Sequence, residues 1–205
     1  MSTDYFSLFS LPQHLHLNLA SLEKTFYAQS RKLHPDRFAA KPAAEQQAAL
    51  AASSQLNDAY RTLRDPILRT EYLLSLQGIQ LEEQSRAATD LAKATGTEKK
   101  QVAPPDLLEE AFELNMALEE MREALESHAD PDPSVRRDLE TARTKFTAML
   151  AETQQQLESL WTQWDTAVDA DDTASKDSAK QAMVALLNRR SYIRNLVRDV
   201  NAALE

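Results

Sequence analysis

His34, Pro35 and Asp36 are the residues of this sequence whose types and spacing could do chemistry: an imidazole and a carboxylate two positions apart, around a proline that fixes the backbone. They follow an amphipathic segment with a basic outer face. Pro35 stops a helix, because the residue before a proline is pushed out of the helical region and the ring removes a backbone donor. The three residues are therefore expected on a tight, exposed corner, which is either a solvated turn or a polar hook that another molecule grasps. Other candidates are fewer still. His14 and His16 share a side only in extended chain and lack further ligands, so they read as solvated loop histidines and no metal is expected. The absence of cysteine removes disulfides, thiolate metal sites and a cysteine nucleophile. With only two glycines there is no phosphate-cradling loop, and the acidic second half lacks the Glu-x-x-His spacing of a di-iron bundle. No enzyme activity and no cofactor are expected.

The corner needs a scaffold. Leu19 to Phe38 reads LASLEKTFYAQSRKLHPDRF, in which Leu19, Leu22, Phe26 and Leu33 recur at helical spacing while Lys24, Tyr27, Arg31 and Lys32 project elsewhere. Asn18 is a plausible N-cap. After a loop over Phe38 to Lys41, Pro42 opens an alanine-rich helix to about Leu63, with Leu50, Ser53, Leu56, Asn57, Tyr60 and Leu63 on one side. It should lie antiparallel to the basic helix and hold the corner at their junction. Upstream, Asp4 to Phe9 reads as one short docked helix ended by Pro12. Downstream, Asp65 and Pro66 cap and open another helix through Ile67, Leu68, Tyr72, Leu73, Leu74 and Leu76, closed by Gly78. Its apolar side is wider than one face needs, as in a buried connector.

The scarcity of glycine in 205 residues favours an all-α chain, since strand turns lean on glycine and Pro/Asp/Ser helix connections do not. The formal net charge of −9 is uneven: residues 1–80 hold eight Lys/Arg against seven Asp/Glu, and the rest fifteen against twenty-five. That balance argues against nucleic acid, which needs clustered positive charge. A small basic face, with Arg37 and Lys41 beyond it, points to an acidic protein partner. No run of about 18 apolar residues and no basic-then-apolar leader occurs, so a soluble, cytoplasmic chain without membrane contact is expected.

Residues 79–104 shift towards Glu, Gln, Lys, Ala and Thr and read as a linker between a unit over 1–78 and an antiparallel three-helix bundle over 105–205. The bundle helices are expected from Asp106 to about Ser127, Val135 to about Val168 and Ala174 to about Leu204. Their core stripes are Leu107, Ala111, Leu114, Leu118, Met121 and Leu125; then Leu139, Ala142, Phe146, Met149, Leu157, Leu160 and Trp164, with a skip at Thr153; then Ala179, Met183, Leu186, Ile193, Val197, Val200 and Leu204. The first helix has a second stripe, Leu108, Phe112 and Met116, turned about a hundred degrees from the core stripe and bordered by Glu109, Glu113 and Glu120. It either widens the core, packs on the first unit, or forms an apolar docking patch with an acidic rim that Tyr192 and Leu196 could extend.

The basic helix and its His34-Pro35-Asp36 corner, flanked by Asp4-Tyr-Phe-Ser-Leu-Phe and by Leu56-Asn-Asp-Ala-Tyr-Arg-Thr-Leu-Arg-Asp-Pro, resemble the J-domain of co-chaperones that work with DnaK-type heat-shock chaperones. Together with the run Asp65-Pro66-Ile67-Leu68-Arg69, the segment Glu71-Tyr72-Leu73-Leu74 and a C-terminal helical bundle, the chain resembles the HscB family, co-chaperones of iron–sulfur cluster assembly. The resemblance implies that His34, Pro35 and Asp36 trigger ATP hydrolysis by a DnaK-type (HscA-like) partner, with Lys24, Tyr27, Arg31, Lys32 and Arg37 in the contact. It further implies that the bundle holds the iron–sulfur cluster scaffold protein (IscU-like) through Leu108, Phe112, Glu113, Met116 and Tyr192. The sequence departs from the family pattern at Glu109 and Met116, where an apolar and an acidic residue are more typical. It also lacks the paired cysteines of some eukaryotic relatives, and its second bundle helix and acidic loop look longer than usual. The competing reading is a general J-domain co-chaperone that delivers unfolded clients; a purely structural bundle protein is a more distant third.

Overall fold

A computed structural model describes residues 4–79, 81, 104–127 and 130–205, and every regular element among them is helical. The helices are α1 (Tyr5–Leu8), α2 (Leu19–Leu33), α3 (Ala43–Arg64), α4 (Pro66–Leu76), α5 (Leu108–Glu126), α6 (Pro133–Asp169) and α7 (Thr173–Leu204), with short 3-10 turns at Pro35–Phe38 and Pro105–Leu107. Their ends follow local chemistry. Asp4 and Asn18 accept from the N–H groups of Ser7 and Ser21, and Asp65 accepts from both Ile67 and Leu68, so the N-termini of α1, α2 and α4 each have a donor satisfied by a side chain. Gly78, at φ +76°, stops α4 in a left-handed conformation that costs little only for glycine. No helix among the described residues is long and apolar enough to cross a membrane.

Contacts divide the chain into two units. The first joins residues 4–79 to 161–180; the second takes 81, 104–127, 130–160 and 181–205. The tip of the long α6/α7 hairpin is thus part of the N-terminal unit, whereas the sequence reading keeps it in a bundle over 105–205. Most of the expected linker, 79–104, lies outside the described residues.

In the first unit α3 is the central rod, packing against α1, α2, α4 and the Pro35–Phe38 turn. Leu56, Ala59 and Leu63 are wholly buried, and Phe26 on α2 stacks on Tyr60 at 4.2 Å. Leu50, expected on the buried side, is 64% exposed; the smaller Ala49 takes the inward position one residue earlier. Near the chain start, Tyr5 stacks on Tyr72 at 4.3 Å and donates its N–H to the Tyr72 hydroxyl. Burial raises the Tyr72 phenol, and the Tyr5 N–H opposes that shift.

The expected solvated loop of His14 and His16 is an anchored one. Leu15 between them is fully buried, and Asp165 of α6 accepts the N–H groups of Leu15 (2.6 Å) and His16 (2.9 Å) and meets His16 Nδ1 at 3.0 Å. His14 Nε2 lies 3.0 Å from Asp169, and the buried Trp164 donates its indole N–H to the carbonyl of Gln13 at 2.8 Å. Arg69, also buried, donates to the Leu63 carbonyl at 2.5 Å. Burial lowers the pKa of its guanidinium, while Asp165 and Asp65 pull it back up.

The second unit has a core drawn from all three long helices. Leu107, Ala111, Leu114 and Met121 of α5 and its preceding turn meet Val135, Leu139 and Phe146 of α6 and Ile193, Leu196 and Val200 of α7. Three expected core positions fall elsewhere: Leu125 is 61% exposed in the last turn of α5, and Trp161 and Leu187 rather than Leu160 and Leu186 are the buried residues of their turns. Thr153 sits in the apolar stripe because its hydroxyl bonds back to the Met149 carbonyl at 2.8 Å, which removes the cost of burying it.

Candidate functional site

α2 runs to Leu33, and His34 turns the backbone to φ −59°, ψ 130°, an extended conformation that the following proline favours. Pro35 then opens a single 3-10 turn, closed by the Arg37 N–H on the His34 carbonyl at 3.0 Å. Within it, the Asp36 N–H donates to His34 Nδ1 at 3.4 Å, and an Asp36 carboxylate oxygen lies 3.4 Å from the same nitrogen. These are long, local contacts. The side chains remain 58% and 89% exposed respectively, so the corner presents an imidazole and a carboxylate with free hydrogen-bonding capacity. Arg37 reaches back to the Arg31 carbonyl at 3.5 Å and joins the turn to the last turn of α2.

The basic face lies along the same helix. Lys24, Arg31 and Lys32 are exposed, as is Tyr27 beside Phe26. Among the described residues, none of the three cations meets a carboxylate within ion-pair distance. Unpaired cations in water keep their long-range attraction for an acidic surface at low ionic strength. The structure therefore brings Lys24, Tyr27, Arg31, Lys32, His34, Pro35, Asp36 and Arg37 into one continuous exposed strip ending in the hook.

The second set lies in the other unit. Leu108, Phe112 and Met116 are 55%, 66% and 59% exposed, one turn apart on α5, with Glu109, Glu113 and Glu120 also exposed. Three consecutive large apolar side chains left in water on one helix face are unusual for a surface that meets only solvent. Tyr192 is half-buried and packs against the bundle core, with its phenol raised by that burial. Leu196, expected to extend the patch, is instead a core residue, so α7 offers less exposed apolar surface than its sequence suggests. Glu110 pairs with Lys145 of α6 at 3.1 Å; its carboxyl is held below the usual range by its own backbone N–H first and by Lys145 second. No group of three or more metal-ligating side chains occurs among the described residues; His14 and His16 each face a separate carboxylate. Asp165 is the residue that sequence reasoning missed, and no local signal distinguishes it from other helix-surface carboxylates.

No family model matches the chain. Proteins named Co-chaperone protein HscB homolog from Bordetella petrii and Bordetella pertussis are 42% and 43% identical to it over 89 residues, 43% of this chain and 52% of each relative. The chain thus spans about half the length of the curated relatives it matches. Over nearly its whole length it superposes on solved structures. Chaperone HscB from Vibrio cholerae matches with a TM-score of 0.59 at 28% identity, covering 97% of this chain and 96% of that one. The human co-chaperone protein HscB matches with a TM-score of 0.58 at 23% identity, covering 97% and 81%, a likeness of fold alone. Local sequence identity and the superposition agree: part of the chain is similar to HscB co-chaperones, and its fold is that of the solved HscB structures, a J-domain followed by a helical bundle.

Proposed function

We propose that this chain is a two-handed co-chaperone in iron–sulfur cluster assembly. Its J-like hook stimulates ATP hydrolysis by a DnaK-type chaperone, and its α5 face presents the cluster scaffold protein to that chaperone. The observation that carries the first hand is the exposure of Asp36 and His34 at the end of an unpaired basic strip. The chain does no bond-breaking of its own in this reading. Lys24, Arg31, Lys32 and Arg37 orient an acidic partner surface, Tyr27 adds apolar contact, and Asp36 and His34 offer an acceptor and a titratable ring to groups on the partner. The partner's ATP-driven equilibrium then shifts towards its tightly binding state, provided that the hook favours one of its conformations over the other.

The second hand rests on Leu108, Phe112, Met116 and the neighbouring Glu113, with Tyr192 at the margin. Holding chaperone and scaffold on one chain raises their effective concentration for each other without any new contact between them. A compact apolar face suits a folded partner better than an extended client, which favours the scaffold reading over general delivery of unfolded chains. The test is the chaperone's single-turnover ATPase rate with wild type and Asp36→Ala, with and without scaffold. The expected result is stimulation by wild type, further stimulation with scaffold, and none by the variant. Equal stimulation by both proteins would rule out the hook.

A further inference from the structure

The apolar side of α4 is wider than packing on one face requires, and Leu68 is part of the surplus: it is 43% exposed, while Leu73 and Leu74 of the same helix are fully buried. Leu68 borders a cleft of about 620 Å³ between the last two turns of α3 and the first turn of α4. Tyr60, which stacks on Phe26, and Pro66 supply the rest of the apolar lining. Arg61 and Arg64 supply the charge. In a chain of net charge −9, two guanidinium groups one helical turn apart beside exposed apolar surface run against the general balance. Among the described residues Arg64 meets no carboxylate within ion-pair distance, and Arg61 has Asp58 alone, at 3.5 Å with both side chains more than half exposed. Asp65, also in the lining, is already committed: its carboxylate accepts the N–H groups of Ile67 and Leu68 and acts on the buried Arg69. Cations in the last turn of a helix favour its dipole, which accounts for the charge of Arg61 and Arg64 but not for the apolar surface beside them. A guanidinium is best satisfied by a carboxylate that takes two of its N–H groups at once.

We propose that this cleft is a second binding site of the first unit, separate from the hook, and that it takes a partner-protein segment in which an acidic side chain stands beside an aliphatic one. The carboxylate would bridge Arg61 and Arg64, and the aliphatic side chain would cover Leu68 and Pro66. Neither half suffices alone. A small anion on exposed arginines is screened by salt and leaves the apolar surface wet, whereas an uncharged apolar segment leaves the guanidinium donors without an acceptor. Basic segments are repelled. The cleft also stands apart from the hook along α3. Gln46 bonds to the Lys41 carbonyl at 2.8 Å just after the hook, and Asn57, where the lining begins, follows it by about 16 Å of helix. Occupancy of the cleft therefore does not depend on what the hook engages.

Fluorescence anisotropy of the full chain with the labelled peptide AELDELAE tests this. The peptide should bind, and AQLNQLAQ, which lacks the charge, and AESDESAE, which lacks the leucines, should each bind at least roughly fivefold more weakly. Arg64→Glu should weaken binding of AELDELAE at least roughly tenfold, and Leu68→Ser roughly fivefold. Arg143→Glu, the same charge change at an exposed position of α6, should leave binding within about twofold, and so should Lys24→Glu on the basic strip. Should Arg64→Glu melt early, Leu68→Ser and the two altered peptides decide. Absence of binding, equal binding of the three peptides, or a loss by Lys24→Glu or Arg143→Glu as large as that by Arg64→Glu overturns the site.

Discussion

The first unit contains His/Asp contacts of two kinds, and they differ in everything except residue type. At His34 and Asp36 the groups are two residues apart, 3.4 Å from each other and exposed at 58% and 89%. At His16 and Asp165 they are 149 residues apart and 3.0 Å from each other, and the carboxylate, 15% exposed, also accepts two backbone N–H groups and faces the buried Arg69. The second carboxylate is committed to the fold. The first satisfies almost nothing in its own chain. A polar pair whose hydrogen-bonding capacity is spent internally stabilises, whereas one whose capacity is free on a rigid corner is available to another molecule.

Substitutions at the anchored pair should cost stability and those at the hook should not. The largest effect is expected at Trp164, which is buried and whose indole N–H bonds to Gln13. Trp164→Ala should destabilise by about 3–5 kcal/mol, read by urea unfolding, because it leaves a cavity and frees the 13–16 loop. Asp165→Ala follows, at roughly 1–3 kcal/mol, since the N–H groups of Leu15 and His16 lose their acceptor. A substitution at Asp165 without measurable loss of stability would erase the contrast between the two pairs.

A smaller effect belongs to pH. The N–H of Ser134 first, and its hydroxyl next, hold Asp132 below the ordinary carboxylate range, and Ser175 does the same for Asp172 through its hydroxyl first and its N–H next. Folded-state values below the unfolded ones mean that this contribution is complete above the unfolded pKa and is lost as pH falls through the folded pKa. The melting temperature should therefore hold between pH 7 and pH 5 and begin to fall below about pH 4. The smallest stability change is expected at the hook: Asp36→Asn should stay within about 0.5 kcal/mol of wild type.

Much of this architecture is legible in the residues because it is set locally. Asn18, Pro35, Asp65 and Gly78 act within a few positions of themselves, and α2 and α4 start or stop where these residues stand. The stripe of Leu108, Phe112 and Met116 stands out for the same reason: strict steps of four leave it off the core face. What the sequence hides is set by distant contacts. Leu15 looks like a loop residue until the hairpin tip of α6 covers it, and Asp165 looks like any exposed helix carboxylate until the 13–16 loop reaches it. Leu50 and Ala49 illustrate a finer limit. Periodicity locates the inward side of α3 to within one residue, and of the two side chains the smaller one is buried.

The most direct measurement of the central claim sets Asp36→Asn beside Asp165→Asn in the same two assays, thermal unfolding and stimulation of a DnaK-type chaperone's ATPase. The account predicts that Asp36→Asn melts with wild type and stimulates nothing, while Asp165→Asn melts earlier and still stimulates at temperatures where it is folded. Full stimulation by Asp36→Asn, or a loss of stimulation by a folded Asp165→Asn as complete as that at the hook, would contradict it.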